Sequence, residues 1–478
     1  MIETLKRLWP RQQFARDIIK LSGATAFAQI IALTALPALT RIYTPDAYGL
    51  AATFSSIAGL ISVISSLRYE FAIPLPRSDR GGWHVAIFAL LVLIIAAVVS
   101  GLAAIYFDNE ITDHLGLSPV AFALLLATSV ATLGSYQVAN YWAIRRSNFN
   151  AIAQTSLQQG IVGPGSQLAF GLVGFGALGL IIGQTLGQCA GILRLASAMI
   201  ADNRRTGFFI HRRGIVWAIK RYRHFPLYDS WAGLLNVAGA QAPVLLFGAL
   251  FSPAMAGYYA LSQRALSAPL GLIGKAVSQA LLPRIIKAGR STEAAQTLEK
   301  LIRILAMASL PPFAIVALVA PSVVPVLFGE DWVAAGWVAA WTAMWVGWQF
   351  ICSPLSIVLV AFEAQKLNTL LQAALLALRV SALVVGALYG TAGAALLAFS
   401  ISSAVGYAGY TLATGLAAGL TARTVMMATL RPTLLSGFCY AILASNVAGG
   451  VPEYLYVLIL CVLVLWIMGI LRILRSNV

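Results

Sequence analysis

Residues 43–49 read "YTPDAYG" and residues 251–257 read "FSPAMAG". Each is an aromatic residue, a hydroxyl residue, a proline, three further residues and a glycine, and the second copy lies 208 residues after the first. Each sits between two long apolar runs, so each reads as a tight turn joining two helices. The helix after each turn is expected to end in "LPR", at 75–77 and again at 282–284. Pro and Gly recur in turns for generic reasons. Two matches in register to within one residue still point to a duplication.

Working outward from these turns, fourteen apolar segments follow one another. They lie near 19–40, 47–67, 84–106, 117–143, 151–173, 176–199, 227–251, 254–282, 301–328, 332–361, 367–389, 391–419, 432–449 and 453–471. Most are long enough to cross about 30 Å of hydrocarbon. The thirteenth is short, and the fifth is interrupted by Pro164 and Gly165. The 478 residues are 60% hydrophobic and 10% charged, with a mean hydropathy of +0.84. Soluble domains run nearer 45–50% apolar and about 25% charged. The composition therefore reads as an all-α integral membrane protein with small aqueous connections.

The net charge of +16 would suggest nucleic acid in a soluble protein. Its distribution says otherwise. With the N-terminus placed in the cytoplasm, the N-terminal tail holds five basic residues, and Arg68, Arg77 and Arg80 follow in the second connection. Arg145 and Arg146, eight residues from Arg194 to Arg223, and five from Arg284 to Arg303 come next on the same side. Lys366, Arg423, Arg431, Arg472 and Arg475 complete that side, and the other holds only Arg41. The opposite connections carry acids such as Asp108, Glu110, Asp113, Glu330 and Asp331. This is the positive-inside pattern. It predicts an even number of spans, both termini in the cytoplasm and no nucleic-acid partner. The basic N-terminus leads into a long apolar run, which reads as a retained first helix.

The repeat then spans six helices per half. An even number gives both halves the same orientation, a parallel repeat about an axis along the membrane normal. The expected division is 1–213 for the first lobe, 214–424 for the second, and 425–478 for two appended helices.

Catalysis and metal binding find little support. Cys189, Cys352, Cys439 and Cys461 lie in apolar runs without metal-ligand spacing. His84, His114, His211 and His224 read as scattered in connections. The longest outer connection is roughly 107–117, with no nucleophile–base set and no phosphate-cradling loop. The chain is expected not to be an enzyme and to carry no cofactor.

Three basic residues remain inside the apolar segments: Arg264, Lys275 and Arg379. A charge at membrane depth costs about 2.5–3.5 kcal/mol on insertion scales, so it pairs or lines a wet cavity. Arg264 and Lys275 are 11 residues apart, so both point to one side of a helix, about 16 Å apart. Arg264 falls near mid-membrane. The face it shares, Gly257, Ala260, Ser267, Gly271 and Ser278, is small and polar. It suits a cavity wall that binds an anion, or a bond to backbone carbonyls. Lys275 and Asp229 are equidistant from the second turn, and so reach one depth on adjacent helices as a structural ion pair, or as ligand and helix cap. Arg379 is a second candidate for an anion, or a lock on helix packing. Trp337, Trp341, Trp345 and Trp348 form one helical stripe, either packing or lipid-facing, or the wall of a groove for a lipid chain. Gln154, Gln158 and Gln159 suggest polar contacts between helices or a cavity-lining broken helix.

The stretches "LTRIYTPDAYGL" (39–50), "LRYEFAIPLPRSD" (67–79), "RHFPLYDSWAGLLN" (223–236) and "YALSQRALSAPLGLIGKAVSQALLPR" (259–284) resemble the oligosaccharide flippases, Wzx-type. Their superfamily also holds multidrug exporters and lipid II flippases. The pattern at Arg264, Pro269, Leu270 and Gly271 is similar to a helix of the lipid II flippases whose arginine lines a cationic cavity. The resemblance implies two pseudo-symmetric six-helix lobes around a central cavity plus two C-terminal helices, about 14 transmembrane helices in all. It implies a polyprenyl diphosphate carrying an oligosaccharide, moved from the cytoplasmic to the periplasmic leaflet of the inner membrane. It also implies a monomer that works beside polysaccharide polymerase machinery. Arg264 would meet the diphosphate, with Lys275 extending the path. The repeat aligns Ser56 with Arg264, so any cation of the first lobe must come from Arg16, Lys20, Arg41 or Arg68. The runner-up readings are a multidrug cation antiporter, which would want cavity carboxylates, and a lipid II-type flippase.

Overall fold

The two quoted turns build the same device. Thr44 accepts the backbone N–H of Ala47 on its hydroxyl at 3.3 Å, and Ser252 accepts that of Met255 at 3.2 Å. Pro45 and Pro253 follow at the first helical position, where no N–H is needed. Ser118 and Pro119 start a third helix in the same way. The shared turn is thus a helix-start device that the chain uses more than twice. The "LPR" match has no such common structure. Residues 75–77 lie in an irregular connection, whereas 282–284 lie inside a helix that continues to Ala288.

The computed structural model describes residues 23–106, 115, 117–289, 291–449 and 466. Its long helices are α1 (Gly23–Ile42), α2 (Pro45–Ser65), α3 (Asp79–Tyr106), α4 (Pro119–Arg145), α5 (Phe149–Leu172), α6 (Gly176–Thr206), α7 (Ser230–Leu250), α8 (Pro253–Ala288), α9 (Thr292–Phe328), α10 (Val333–Ala361), α11 (Gln365–Tyr389), α12 (Ala392–Ala417) and α13 (Ala422–Gly449). A short helix, Arg212–Arg221, precedes α7. Among the described residues there is no strand, and 11 helices are long and apolar enough to cross a membrane. α5 and α8 are long helices outside that set. Both answer expected segments, the glutamine-rich fifth and the arginine-bearing eighth. The fourteenth segment, 453–471, lies outside the described residues except for Trp466, whose Nε1 donates to Met307 O at 2.7 Å.

The chain divides into two compact units, Met1–Gly248 and Ala249–Val478. The first takes in α7, which the sequence repeat begins a second half with. In this unit α5 and α6 meet along a glycine seam. A Cβ on Gly187 would stand 2.6 Å from the Cα of Gly163, and one on Gly183 would stand 2.7 Å from Gln167. Gln167 closes the seam by donating its Nε2 to Leu180 O at 3.1 Å. Small residues let helix backbones approach this closely. α5 runs through Pro164 as one helix, so the expected break is absent; Gln159 lies against Gly191 of α6, whereas Gln154 lines a surface cavity. A second core joins Trp83, Ala86, Val138, Trp142, Met199 and Ala218 beneath the short helix.

The second unit is centred on α10, whose Trp345, Val346, Ile351, Leu355 and Val358 are fully enclosed. Phe313 of α9 meets Phe350 at 6.3 Å between ring centroids. α13 begins ten residues before the expected 432 and runs straight through Pro432.

Candidate functional site

In the first unit, the turn after α2 gathers a cation and an acid. Leu67 and Arg68 are consecutive left-handed residues, with φ of 50° and 62°. Bulky residues in that region are strained and cluster at functional turns. The bend folds Arg68 back so that its guanidinium lies over the Phe71 ring at 4.8 Å. It also presses on α7. A Cβ at Gly233 would stand 1.7 Å from a guanidinium nitrogen, so a larger residue there would push the Arg68 side chain aside. The Arg68 Nε is buried with no hydrogen-bond partner among the described residues. Two residues on, Glu70 is 4% exposed and accepts the Ser66 hydroxyl. Burial pushes the Glu70 carboxyl above the ordinary carboxylate range, and the Ser66 hydroxyl and the Arg68 charge only partly offset this. Phe71 rests on Tyr141 at 4.7 Å. Arg68 is one of the first-lobe cations the sequence offers; the buried carboxylate beside it was not foreseen.

Arg41 is exposed in the last turn of α1. The 21 residues of α2 place it about 30 Å from Arg68, so the structure does not bring these two cations together. Between them, Ser56 is buried. Its hydroxyl is 2.8 Å from Ala52 O and 3.0 Å from Gln241 Oε1 on α7. Next to it, Ser55 donates to Gln184 Oε1 on α6 at 2.9 Å. The middle of α2 thus reaches two neighbours through glutamines, and Gln241 was a polar residue in the seventh segment that sequence reasoning passed over. Arg16 and Lys20 lie outside the described residues. Asp229 is exposed, at the end of a π-helical turn Phe225–Asp229 that leads into α7.

In the second unit, Arg264 is exposed partway along α8, with Gly271 of its face also exposed and Ser267 half-buried. The side chain of Lys275 lies outside the described residues, and with it the pairing to Asp229. Arg379 is enclosed, 4% exposed. Its Nε donates to Ser403 Oγ at 3.0 Å. Its guanidinium carbon is 4.5 Å from the Trp345 ring, 4.8 Å from Tyr407 and 5.5 Å from Phe399. Three helices, α10, α11 and α12, thereby close on one cation, which favours the packing alternative over a ligand role. Trp345 faces this box, while Trp337, Trp341 and Trp348 are half-buried.

A network on the arginine-rich side of the first unit was read only as topology. Arg145 donates from Nη1 to the carbonyls of Ile73, Pro74 and Pro76 at 3.1, 3.3 and 2.8 Å. Its Nε and Nη2 donate to Asp79 Oδ1 at 3.1 and 2.9 Å. Arg146 bridges Asp79 at 2.6 Å and Asp202 at 3.2 Å. Nor are all the histidines scattered. His84 lies within α3, is buried, and stacks on His211 at 6.3 Å. Its Nδ1 faces Arg80 O at 2.7 Å, and its Nε2 faces the backbone N–H of His211 at 3.4 Å. Among the described residues no three His, Cys, Asp or Glu side chains are placed to hold a metal ion.

Comparison with known proteins identifies the class. A family model described as "Polysaccharide biosynthesis protein" matches residues 38–336, and the chain belongs to that family. Among curated proteins none matches the chain in sequence. Among solved structures, the lipid II flippase MurJ in an inward closed conformation is 14% identical, covers 96% of this chain and 99% of its own, and superposes with a TM-score of 0.68. An inward-facing multidrug resistance MATE family transporter of the MOP superfamily is also 14% identical, covers 89% of this chain and 99% of its own, and has a TM-score of 0.58. A MOP superfamily transporter from Pyrococcus furiosus, described as having a binding pocket of reverse polarity, is 14% identical over 89% of this chain and 96% of its own, with a TM-score of 0.52. The chain is a multi-pass, all-α membrane protein with the fold of these transporters.

Proposed function

We propose that the protein is a flippase for polyprenyl-diphosphate-linked oligosaccharide repeat units. It carries them by alternating access from the cytoplasmic to the periplasmic leaflet of the inner membrane, for assembly of a surface polysaccharide such as O-antigen or exopolysaccharide. The observation that carries the reading is Arg264. In a family of polysaccharide biosynthesis proteins with a transporter fold, a guanidinium is exposed partway along an apolar helix. A diphosphate offers that guanidinium a charge-assisted, bidentate partner. Arg68, Lys275 and Arg41 are further candidate cations for the anionic substrate. An inside-negative potential favours outward passage of an anion by about 2.3 kcal/mol per charge per 100 mV, so no carboxylate relay is required to drive it.

The test is Arg264→Ala in cells that depend on the chain for surface polysaccharide. Export is expected to be lost, with membrane levels of the protein unchanged. Normal polysaccharide in that variant sinks the assignment. Native mass spectrometry of the gently purified wild type is expected to show a polyprenyl diphosphate bearing sugars.

A further inference from the structure

A groove on the first unit carries charge that the transport reading does not use. It runs along α6, facing the turn that joins α4 to α5. Two adjoining cavities, of about 560 and about 500 Å³, open in it, and Asn148 lines both. Arg194, Ser197 and Gln154 line the first, and Arg205 lines the second beside Asp202. Arg194 and Arg205 are 11 residues apart, so they share one face of α6 at a separation of about 16 Å. The Asp202 carboxylate is already engaged, accepting Arg146 Nε at 3.2 Å and Trp142 Nε1 at 3.3 Å. Among the described residues the ion pairs are four, and neither Arg194 nor Arg205 is in one. The groove therefore has a polar floor and surplus positive charge, the chemistry of an anion site.

Depth decides which anion. α6 has 31 residues, about 46 Å, well beyond the roughly 30 Å of hydrocarbon. Counted from Gly176, Arg194 comes after about 27 Å of rise, at the edge of the apolar layer. Below it, Leu193, Leu186 and Ile161 are apolar and exposed. Beyond it come Ser197, Asn148 and Arg205, all exposed and polar. A soluble anion has no use for the apolar side of this boundary; a lipid has use for both sides. Basic pockets between helices at this depth suit phosphate headgroups.

We propose that this groove binds an anionic glycerophospholipid from the leaflet on the arginine-rich face. Its phosphate rests on Arg194, its headgroup extends toward Asn148 and Arg205, and an acyl chain lies along Leu193 and Leu186. This lipid is a resident of the transporter's flank and not its cargo.

The test is native mass spectrometry of the full chain in detergent, titrated with phosphatidylglycerol or phosphatidylcholine at equal concentration. The wild type is expected to retain phosphatidylglycerol more strongly. Arg194→Gln is expected to weaken that binding about five-fold, as loss of one basic residue near a charged lipid surface implies. Arg423→Gln, another exposed arginine, leaves it unchanged. Equal retention of the two lipids overturns the proposal, as does wild-type binding by Arg194→Gln. Displacement of the lipid by an equal concentration of free glycerol phosphate overturns it in favour of a soluble anion. Arg205→Gln repeats the test with a smaller loss should Arg194→Gln fail to fold.

Discussion

Arg379 shows how aromatic rings make a buried charge tolerable. Its three aromatic neighbours present their negative ring faces, and desolvated cation–π contacts reach about 2 kcal/mol or more. Removing the side chain also leaves a hole among large rings. Arg379→Ala is expected to lower stability by about 2–4 kcal/mol, read as thermal unfolding in detergent. Arg379→Lys should fall between, since an ammonium lacks the planar face that stacks. Unchanged stability together with lost export would return Arg379 to the substrate path. The sequence showed the charge and its depth, but not which of two roles it plays, because the box comes from helices that only the fold brings together. Glu70 is the complementary case. Its folded carboxyl sits above the ordinary range because of burial, so the unfolded chain gives up its proton first as pH rises. The stabilising contribution is complete below the unfolded value and is lost as pH climbs through the folded one. Glu70→Gln should therefore flatten this loss as pH rises from the ordinary carboxylate value of about 4. A wild-type slope in the variant, measured by thermal unfolding across that range, would show that Glu70 does not titrate there.

At the scale of elements, hydropathy found the helices and missed their ends. The expected sixth segment stops at 199, yet α6 reaches Thr206, where Gly207 closes it with a φ of 63°. The ninth was expected from 301, yet α9 starts at Thr292, where the Ser291 hydroxyl caps Ala294 N–H at 3.2 Å. Hydropathy marks the hydrocarbon; hydrogen bonds and caps carry helices beyond it into water. The short helix Arg212–Arg221 escaped notice for the same reason, being too polar and too brief for a span. Contacts between elements were less legible still. Nothing in the local pattern tells that Gly187 meets Gly163. Gly187→Ala should force the two backbones apart and cost about 1–3 kcal/mol, seen as a lower unfolding temperature. Wild-type stability in that variant would mean that the seam relaxes freely.

For the whole molecule, the clearest message of the sequence is its charge asymmetry. The structure supplies the helices for that pattern, and the family model covers residues 38–336 while the fold match to MurJ extends over 96% of the chain. The arginine-rich connections predict that both termini lie in the cytoplasm. Reporters fused to either end, active only in that compartment, should both respond; a silent C-terminal fusion on a stable protein would make the number of spans odd. The candidate site was legible as a list of cations and illegible as an arrangement. Arg264 and Arg68 were named from sequence, but the glycine that admits Arg68 and the acid beside it became visible only in three dimensions.

The clasp of Arg145 on the connection before α3 is in effect a ruler. Pro74 and Pro76 lack N–H groups, so this stretch has little means of pairing its own carbonyls, and one guanidinium takes three of them. Such a clasp measures chain length. One residue added between Ile73 and Asp79 would put every later carbonyl out of reach of its donor. Gly207, exposed and already turned back on itself, faces no comparable gauge. An epitope or fluorescent tag spliced into this chain belongs there, and related chains are expected to vary in length after α6 long before they vary ahead of α3.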